Sequence, residues 1–355
     1  MGSGVREDQI ISVNFEDYAF EDLLDPRKLH AYVLERVPRG GKAYVFLDEV
    51  QNVPGFQKVV DSLFLREDID LYITGSNAYM LSGELATLLA GRYVAVEMLP
   101  LSFSEYVSWT GDKTDLSRKY MRYLECSSFP YTIELDGDLR AVDEYLRGIY
   151  STVVLKDVVG HLRSVDPMML ESMMRFVLSS IGSRLSTKKI ADTLTSMGRK
   201  IDVRTVERYL SACVDSFILY RAKRFDVKGK QHLKTLEKYY VADMGLRYML
   251  LGRRQLDAGH VLENVVYLEL VRRGYDVYVG KVDDTEVDFV TETPRGLEYY
   301  QVALTVRGAS TLERELRPLQ RINDSYPKYL LTLDDDPESD FGGIAKKNAL
   351  DWLLE

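Results

Sequence analysis

The sequence predicts a multidomain α/β chain: a parallel sheet first, a helical middle containing a winged-helix pattern, and an α/β segment at the end. Three observations carry this. The apolar run Tyr44-Val-Phe-Leu47 ends in the acid pair Asp48-Glu49, which reads as a strand covered on both faces whose end meets a ligand. Strand and helix patterns alternate over residues 1–110, and helical patterning then dominates over 111–245. From 246 to 355 the order reads α-β-β-β-α-β. A length of 355 residues suits two or three domains.

In the first segment, residues 9–15 read as a strand, and Leu29, Tyr32, Val33 and Val37 line one helical face. After the strand ending at Asp48, Phe56, Val59, Val60, Leu63 and Phe64 form a second helical stripe. Residues 69–74 are the next strand and run into Gly75-Ser76-Asn77. Strand, helix and strand within about 30 residues make a βαβ unit. It sets Asp48, Glu49, Thr74, Ser76 and Asn77 along one sheet edge. A short helix over 82–89 stopping at Gly91, a strand over 92–98, and a capping box from Ser102 to Glu105 complete the segment.

The middle segment holds the winged-helix pattern, about 167–245. A Met- and Leu-rich helix covers 167–181. Ser186 caps a second helix reaching Met197, and Asp202 caps a third with Val206, Tyr209, Leu210, Cys213 and Val214 inward. Strands over 217–225 and 233–242 are joined by Asp226-Val-Lys-Gly-Lys230. Arg204, Thr205 and Arg208 then lie on the outer face of the third helix, where a recognition helix reads a groove, and Lys228 and Lys230 sit on the wing. Packing against another protein surface is the competing reading of this module.

Charge supports a partner of some kind. The chain carries 46 Lys and Arg against 55 Asp and Glu, net −9. Residues 151–230 run the other way, with 15 basic against 8 acidic side chains. A basic segment in an acidic chain suits phosphate contacts, although charge alone does not single out DNA. No stretch approaches the ~18–20 apolar residues of a membrane span, and the N-terminus lacks the apolar core of a signal peptide. Cys126 and Cys213 are far apart, and His30, His161, His232 and His260 are scattered, which argues against a zinc site. A soluble cytoplasmic protein is expected. The 24 tyrosines fit half-buried sheet positions better than a base-stacking platform.

The words Phe-Leu-Asp-Glu-Val-Gln-Asn, Ile-Thr-Gly-Ser-Asn-Ala, Leu-Ala-Gly-Arg-Tyr and Leu-Pro-Leu-Ser-Phe-Ser-Glu-Tyr occur in that order. They resemble the prokaryotic AAA-type ATPases of the P-loop NTPase superfamily, in the subgroup with a C-terminal domain of unknown function. The resemblance implies that Asp48 holds Mg²⁺ through water, that Glu49 orients the attacking water, and that Ser76 or Asn77 senses the γ-phosphate. Arg92 is a candidate arginine finger, with simple pairing to a carboxylate as the alternative. ATP and Mg²⁺ are the implied cofactors, and DNA or a protein the implied partner, with oligomerisation left open. The phosphate loop G-x-x-x-x-G-K-[ST] is not found: Gly40-Gly41-Lys42 is followed by Ala43, and Arg36 stands five positions before Gly41. In the family that loop precedes the first strand by some two dozen residues. The 355 residues are therefore expected to bind ATP poorly and not to hydrolyse it.

The element order over 246–355 resembles a restriction-endonuclease-like domain. That resemblance places metal ligands on the first helix, the second strand and the third strand. Glu263 and Asp288 match the first two positions, whereas Gln301-Val302-Ala303 replaces the Glu-x-Lys of the third. With the third carboxylate and the lysine absent, the domain is expected to keep the fold without cleaving DNA, and Glu263 to be held in a hydrogen bond or salt bridge. A metal-dependent nuclease is the weakest of the three functional readings, after the ATP-binding protein and the non-catalytic DNA- or protein-binding module.

Overall fold

Residues 4–76, 91–111, 114–159, 162, 165–253 and 258–355 are described by a computed structural model. They fall into two compact units, 1–97 and 98–355.

In the first unit, Pro26 at the first helical position and the Asp25 carboxylate, accepting from the Arg27 and Lys28 amides, start helix α1 (Pro26–Arg36). Strands β1 (Ile10–Asn14), β2 (Ala43–Asp48) and β3 (Ile69–Ile73) form a parallel sheet in the order β1-β2-β3, with helix α2 (Phe56–Phe64) as the β2–β3 crossover. Ile11, Val13, Val45, Leu47 and Ile69 alternate onto one face, where Leu29 and Val33 of α1 and Val59, Val60 and Leu63 of α2 bury them. The opposite face is open among the described residues: Phe46 and Tyr72 are exposed and stack with ring centroids 4.8 Å apart. The expectation that β2 is covered on both sides is thereby corrected, because both helices lie on the same face.

Residues 92–98 form no strand. Val94 and Val96 point outward, 90% and 76% exposed, so the apolar alternation there follows no ladder. Asn77 and the helix expected over 82–89 lie outside the described residues.

The second unit opens with helices α3 (Phe103–Trp109), α4 (Leu116–Cys126), α5 (Tyr131–Glu134) and α6 (Leu139–Thr152). The capping box forms as read, with the Ser102 hydroxyl accepting from the Glu105 amide and the Glu105 carboxylate from the Ser102 amide. The three helices of the winged-helix pattern follow as α7 (Pro167–Ser179), α8 (Thr187–Ser196) and α9 (Val203–Asp215), capped by Asp166, Ser186 and Asp202. Next come β4 (Leu219–Asp226), β5 (Gln231–Val241), α10 (Met244–Leu251), α11 (Ala258–Arg272), β6 (Asp276–Val282), β7 (Thr285–Thr293), β8 (Gly296–Ala303), α12 (Ala309–Gln320) and β9 (Lys328–Thr332). Strands β10 (Ser339–Asp340) and β11 (Ile344–Asn348) and helix α13 (Ala349–Trp352) extend the expected order.

The hairpin β4–β5 is not a free wing. It joins one eight-stranded sheet in the order β10-β11-β9-β8-β7-β6-β4-β5, through a parallel pairing of β4 residues 223–226 with β6 residues 278–281. Segments 111–245 and 246–355 therefore share a sheet. Register shifts at Ala222/Arg224 and Tyr278/Gly280 bend it. At the second of these Gly280 is needed for close approach: a Cβ there would meet Val290 Cγ2 at 2.7 Å. One apolar core joins the helices to β4, β5 and α11, and a second lies under α12, around Val282, Tyr299, Leu319 and Leu330. Cys126 and Cys213 are buried free thiols, and burial pushes the Cys213 thiol up to about 12. No helix among the described residues is long and apolar enough to cross a membrane.

Candidate functional site

In the first unit the ends of β2 and β3 are joined by side chain and backbone. Thr74 follows β3, and its amide donates to Leu47 O at 3.0 Å while its carbonyl accepts from the Val50 amide at 3.1 Å. Its hydroxyl donates to Asp48 Oδ1 and accepts from the Glu49 amide, the latter at 3.1 Å. Glu49 itself sits in the left-handed region, φ 54° and ψ 44°, which turns the chain out of the strand. The Gln51 amide donates to Glu49 Oε2 and reaches Ser76 Oγ at 3.4 Å, whereas Gln51 Oε1 is buried and without a hydrogen bond among the described residues. Asp48, Glu49 and Ser76 thus share the sheet edge where α/β folds place ligands. Arg92 stands 3.9 Å from Asp61 Oδ1 of α2, the ordinary pairing with a carboxylate. Thr74 and Gln51 are the residues to which the sequence reading gave no role. Both lay inside the quoted words, and only the tertiary contact separates them from their neighbours.

Arg204 and Arg208 are exposed one turn apart on α9. No ion pair engages them among the described residues, nor Lys189 on α8, nor Arg199 and Lys200 in the turn between the two helices. Thr205 is occupied with capping: its amide and hydroxyl both donate to the Asp202 carboxylate, at 3.0 and 2.7 Å. Lys228 pairs with Asp283, 2.6 Å away in the β6–β7 turn, with both side chains about half exposed. Lys230 is exposed at the hairpin tip with φ 46°.

The second unit also holds a buried ionic cluster. Lys238 Nζ of β5 is 2.8 Å from Glu263 Oε1 of α11, 2.8 Å from Glu286 Oε1 and 3.7 Å from Asp288 Oδ1, both on β7. The Tyr240 hydroxyl donates to Glu263 Oε1 at 2.6 Å, and the Val302 amide to Asp288 Oδ2 at 2.9 Å. Arg184 Nε stands 3.3 Å from Glu286 Oε2. Gln301 accepts weakly from the Asp288 amide at 3.4 Å and donates to Glu315 Oε2 at 2.9 Å. Burial, together with the Glu263 charge, pushes the Asp288 carboxyl up to about 8. The carboxylates around Lys238 hold its ammonium above the usual lysine range despite burial. Glu263 is tied up as expected. The argument from a missing lysine is corrected, since Lys238 arrives from another strand. Its signal in the sequence was a lysine directly abutting the apolar run Tyr239-Tyr-Val-Ala242, a position where an unpaired charge is costly.

Comparison with known proteins gives relatives along nearly the whole chain. Residues 3–107 match the family described as AAA domain, and residues 117–257 the family described as domain of unknown function DUF8612. An uncharacterized protein of Haemophilus influenzae is 35% identical, over 99% of this chain and 88% of that protein. An uncharacterized protein of Methanocaldococcus jannaschii is 28% identical, over 80% of this chain and 66% of its own length. Among solved structures, a Walker-type ATPase of Pyrococcus abyssi is similar with a TM-score of 0.40 and 14% identity, over 63% of this chain and 66% of that one. The Orc1 protein of Aeropyrum pernix, solved in complex with DNA, follows with a TM-score of 0.24 and 14% identity, over 68% and 76%. Scores of that size establish no common fold. The chain belongs to the family of the Haemophilus influenzae protein, and its N-terminal segment matches the AAA domain family.

Proposed function

We propose that this is an ATP-binding protein of the AAA type that couples nucleotide state to a partner engaged by residues 98–355. The observation carrying the reading is the stitched edge of the first unit. Asp48, Glu49 and Ser76 meet there at the ends of parallel strands, inside the segment that matches the AAA domain. In this reading Asp48 holds Mg²⁺ through water and Glu49 orients a water, supported by the hydrogen bonds of Thr74 to the first and Gln51 to the second. Phosphates in such sites are held chiefly by backbone amides and the lysine of a phosphate loop. These 355 residues contain no such loop, and two carboxylates cannot attract ATP except through the metal. Calorimetry of this chain with ATP and Mg²⁺ is expected to show weak binding or none, with no turnover. Tight stoichiometric binding overturns that. In a chain carrying the loop, Glu49→Gln is expected to retain ATP and lose hydrolysis.

A second reading, a DNA- or protein-binding module without ATP turnover, is favoured by one observation: the cations Lys189, Arg199, Lys200, Arg204 and Arg208 around α8 and α9 have no ion-pair partner among the described residues. Reversing Arg204 and Arg208 together is expected to weaken low-salt DNA binding by several kcal/mol, since each good base contact contributes ~1–3 kcal/mol. Unchanged gel shifts in the double variant would assign the face to protein packing. A cytoplasmic location suits both readings.

A further inference from the structure

Three carboxylates from two elements converge in the interior of the second unit, and what neutralises them decides what the cluster can do. Carboxylates gathered away from water repel one another and require positive charge. Proteins commonly meet this need with a divalent cation at ~2.0–2.6 Å from the oxygens. A restriction-endonuclease-like site would do so between Glu263 and Asp288. The donor set here does not fit such an ion while Lys238 is present. Its side chain is 4% exposed, and its nitrogen donates to Glu263 and stands 2.8 Å from Glu286 and 3.7 Å from Asp288. Among the described residues, no group of three or more His, Cys, Asp or Glu side chains is arranged to hold a metal.

We infer that the Lys238 ammonium is the resident cation of this cluster, closing a latent divalent-metal site that opens only when the lysine is removed. This inference is independent of the ATP reading. Each carboxylate has one further partner, although Glu286 Oε2 carries no hydrogen bond among the described residues. Tyr240 adds a second hydrogen bond at Glu263 Oε1, the Val302 amide takes Asp288 Oδ2, and Arg184 pairs with Glu286 Oε2. Two cations, Lys238 and Arg184, already face these carboxylates. A divalent ion entering beside the ammonium would stand within a few ångströms of that positive charge and be repelled by it. Gln301 supplies no compensating carboxylate, because its amide bridges Asp288 to Glu315. Ala303 supplies no donor at all.

The test is Mn²⁺ binding followed by electron paramagnetic resonance on the full chain, comparing wild type, Asp288→Asn, Lys238→Met and the double variant. Wild type and Asp288→Asn are expected to bind the same number of ions, any ion at Asp48 and Glu49 being common to both. Lys238→Met is expected to gain one equivalent, and the double variant to lose it again. A folded Lys238→Met chain that gains no ion overturns the inference. So does a wild-type ion that Asp288→Asn abolishes, or Mn²⁺-dependent plasmid nicking that disappears in Asp288→Ala. Should Lys238→Met fold only when Mn²⁺ is added, the exchange of ammonium for metal is read directly from the melting curve. Should it fold under neither condition, the wild-type and Asp288→Asn comparison still decides.

Discussion

Asp288 gives the second unit a pH dependence whose sign is opposite to that of an ordinary salt-bridged carboxylate. Its pKa rises from 3.8 to about 8 on folding. Between those values the folded chain binds one proton more than the unfolded chain, so stability falls as pH rises through that window and levels off above it. The slope is at most ~1.4 kcal/mol per pH unit for one proton. Denaturant midpoints at pH 6 and pH 8 should differ less in Asp288→Asn than in wild type, and equal differences would place the proton elsewhere. Glu263→Ala is a harsher change, because it leaves the buried Lys238 ammonium without its hydrogen-bonded partner. A loss of ~3–5 kcal/mol is expected by chemical denaturation. Gly182 belongs to the same neighbourhood: φ is +68°, and a Cβ would stand 2.8 Å from His260 Cδ2 and 3.1 Å from Glu263 Oε2. Gly182→Ala is therefore expected to destabilise the unit by both backbone strain and crowding.

Among the elements, the helices were the most legible. Ser102, Asp166, Ser186 and Asp202 each accept from amides of the first turn they precede, and such caps act within four residues. Asp202→Ala is expected to lower stability by ~1 kcal/mol, with the melting temperature as the measure. It also frees Thr205 without touching Arg204 or Arg208, which separates helix stability from any DNA contact. The strand run over 92–98 misled because alternation marks a strand only when a neighbouring edge accepts its hydrogen bonds. The same limit hid the β4–β6 pairing: it joins residues 55 positions apart (Lys223 with Tyr278), and no local pattern encodes a partner at that distance. Asp48 and Glu49 were readable because a strand end is local. Lys238 was not, because its carboxylates come from α11 and β7.

For the whole molecule, the two units have cores drawn from separate stretches of chain, one from residues 11–69 and the others from residues beyond 98. Residues 98–355 produced alone are expected to melt cooperatively and to keep the Asp288-dependent pH slope. A chain that aggregates or loses that slope would show that the first unit completes the second. The open face of the first unit, with Phe46 stacked on Tyr72, predicts a lower standing stability for residues 1–97, measurable as faster amide exchange along β3.

The shared sheet has a consequence for descent. A winged helix that stands by itself can be copied between genes as a cassette, with its three helices and hairpin intact. Here a cut near residue 245 would expose the edge of β6, and it would carry Lys238 away with one fragment while Glu263, Glu286 and Asp288 stayed behind on the other. One fragment would hold an orphaned cation and the other a knot of mutually repelling acids.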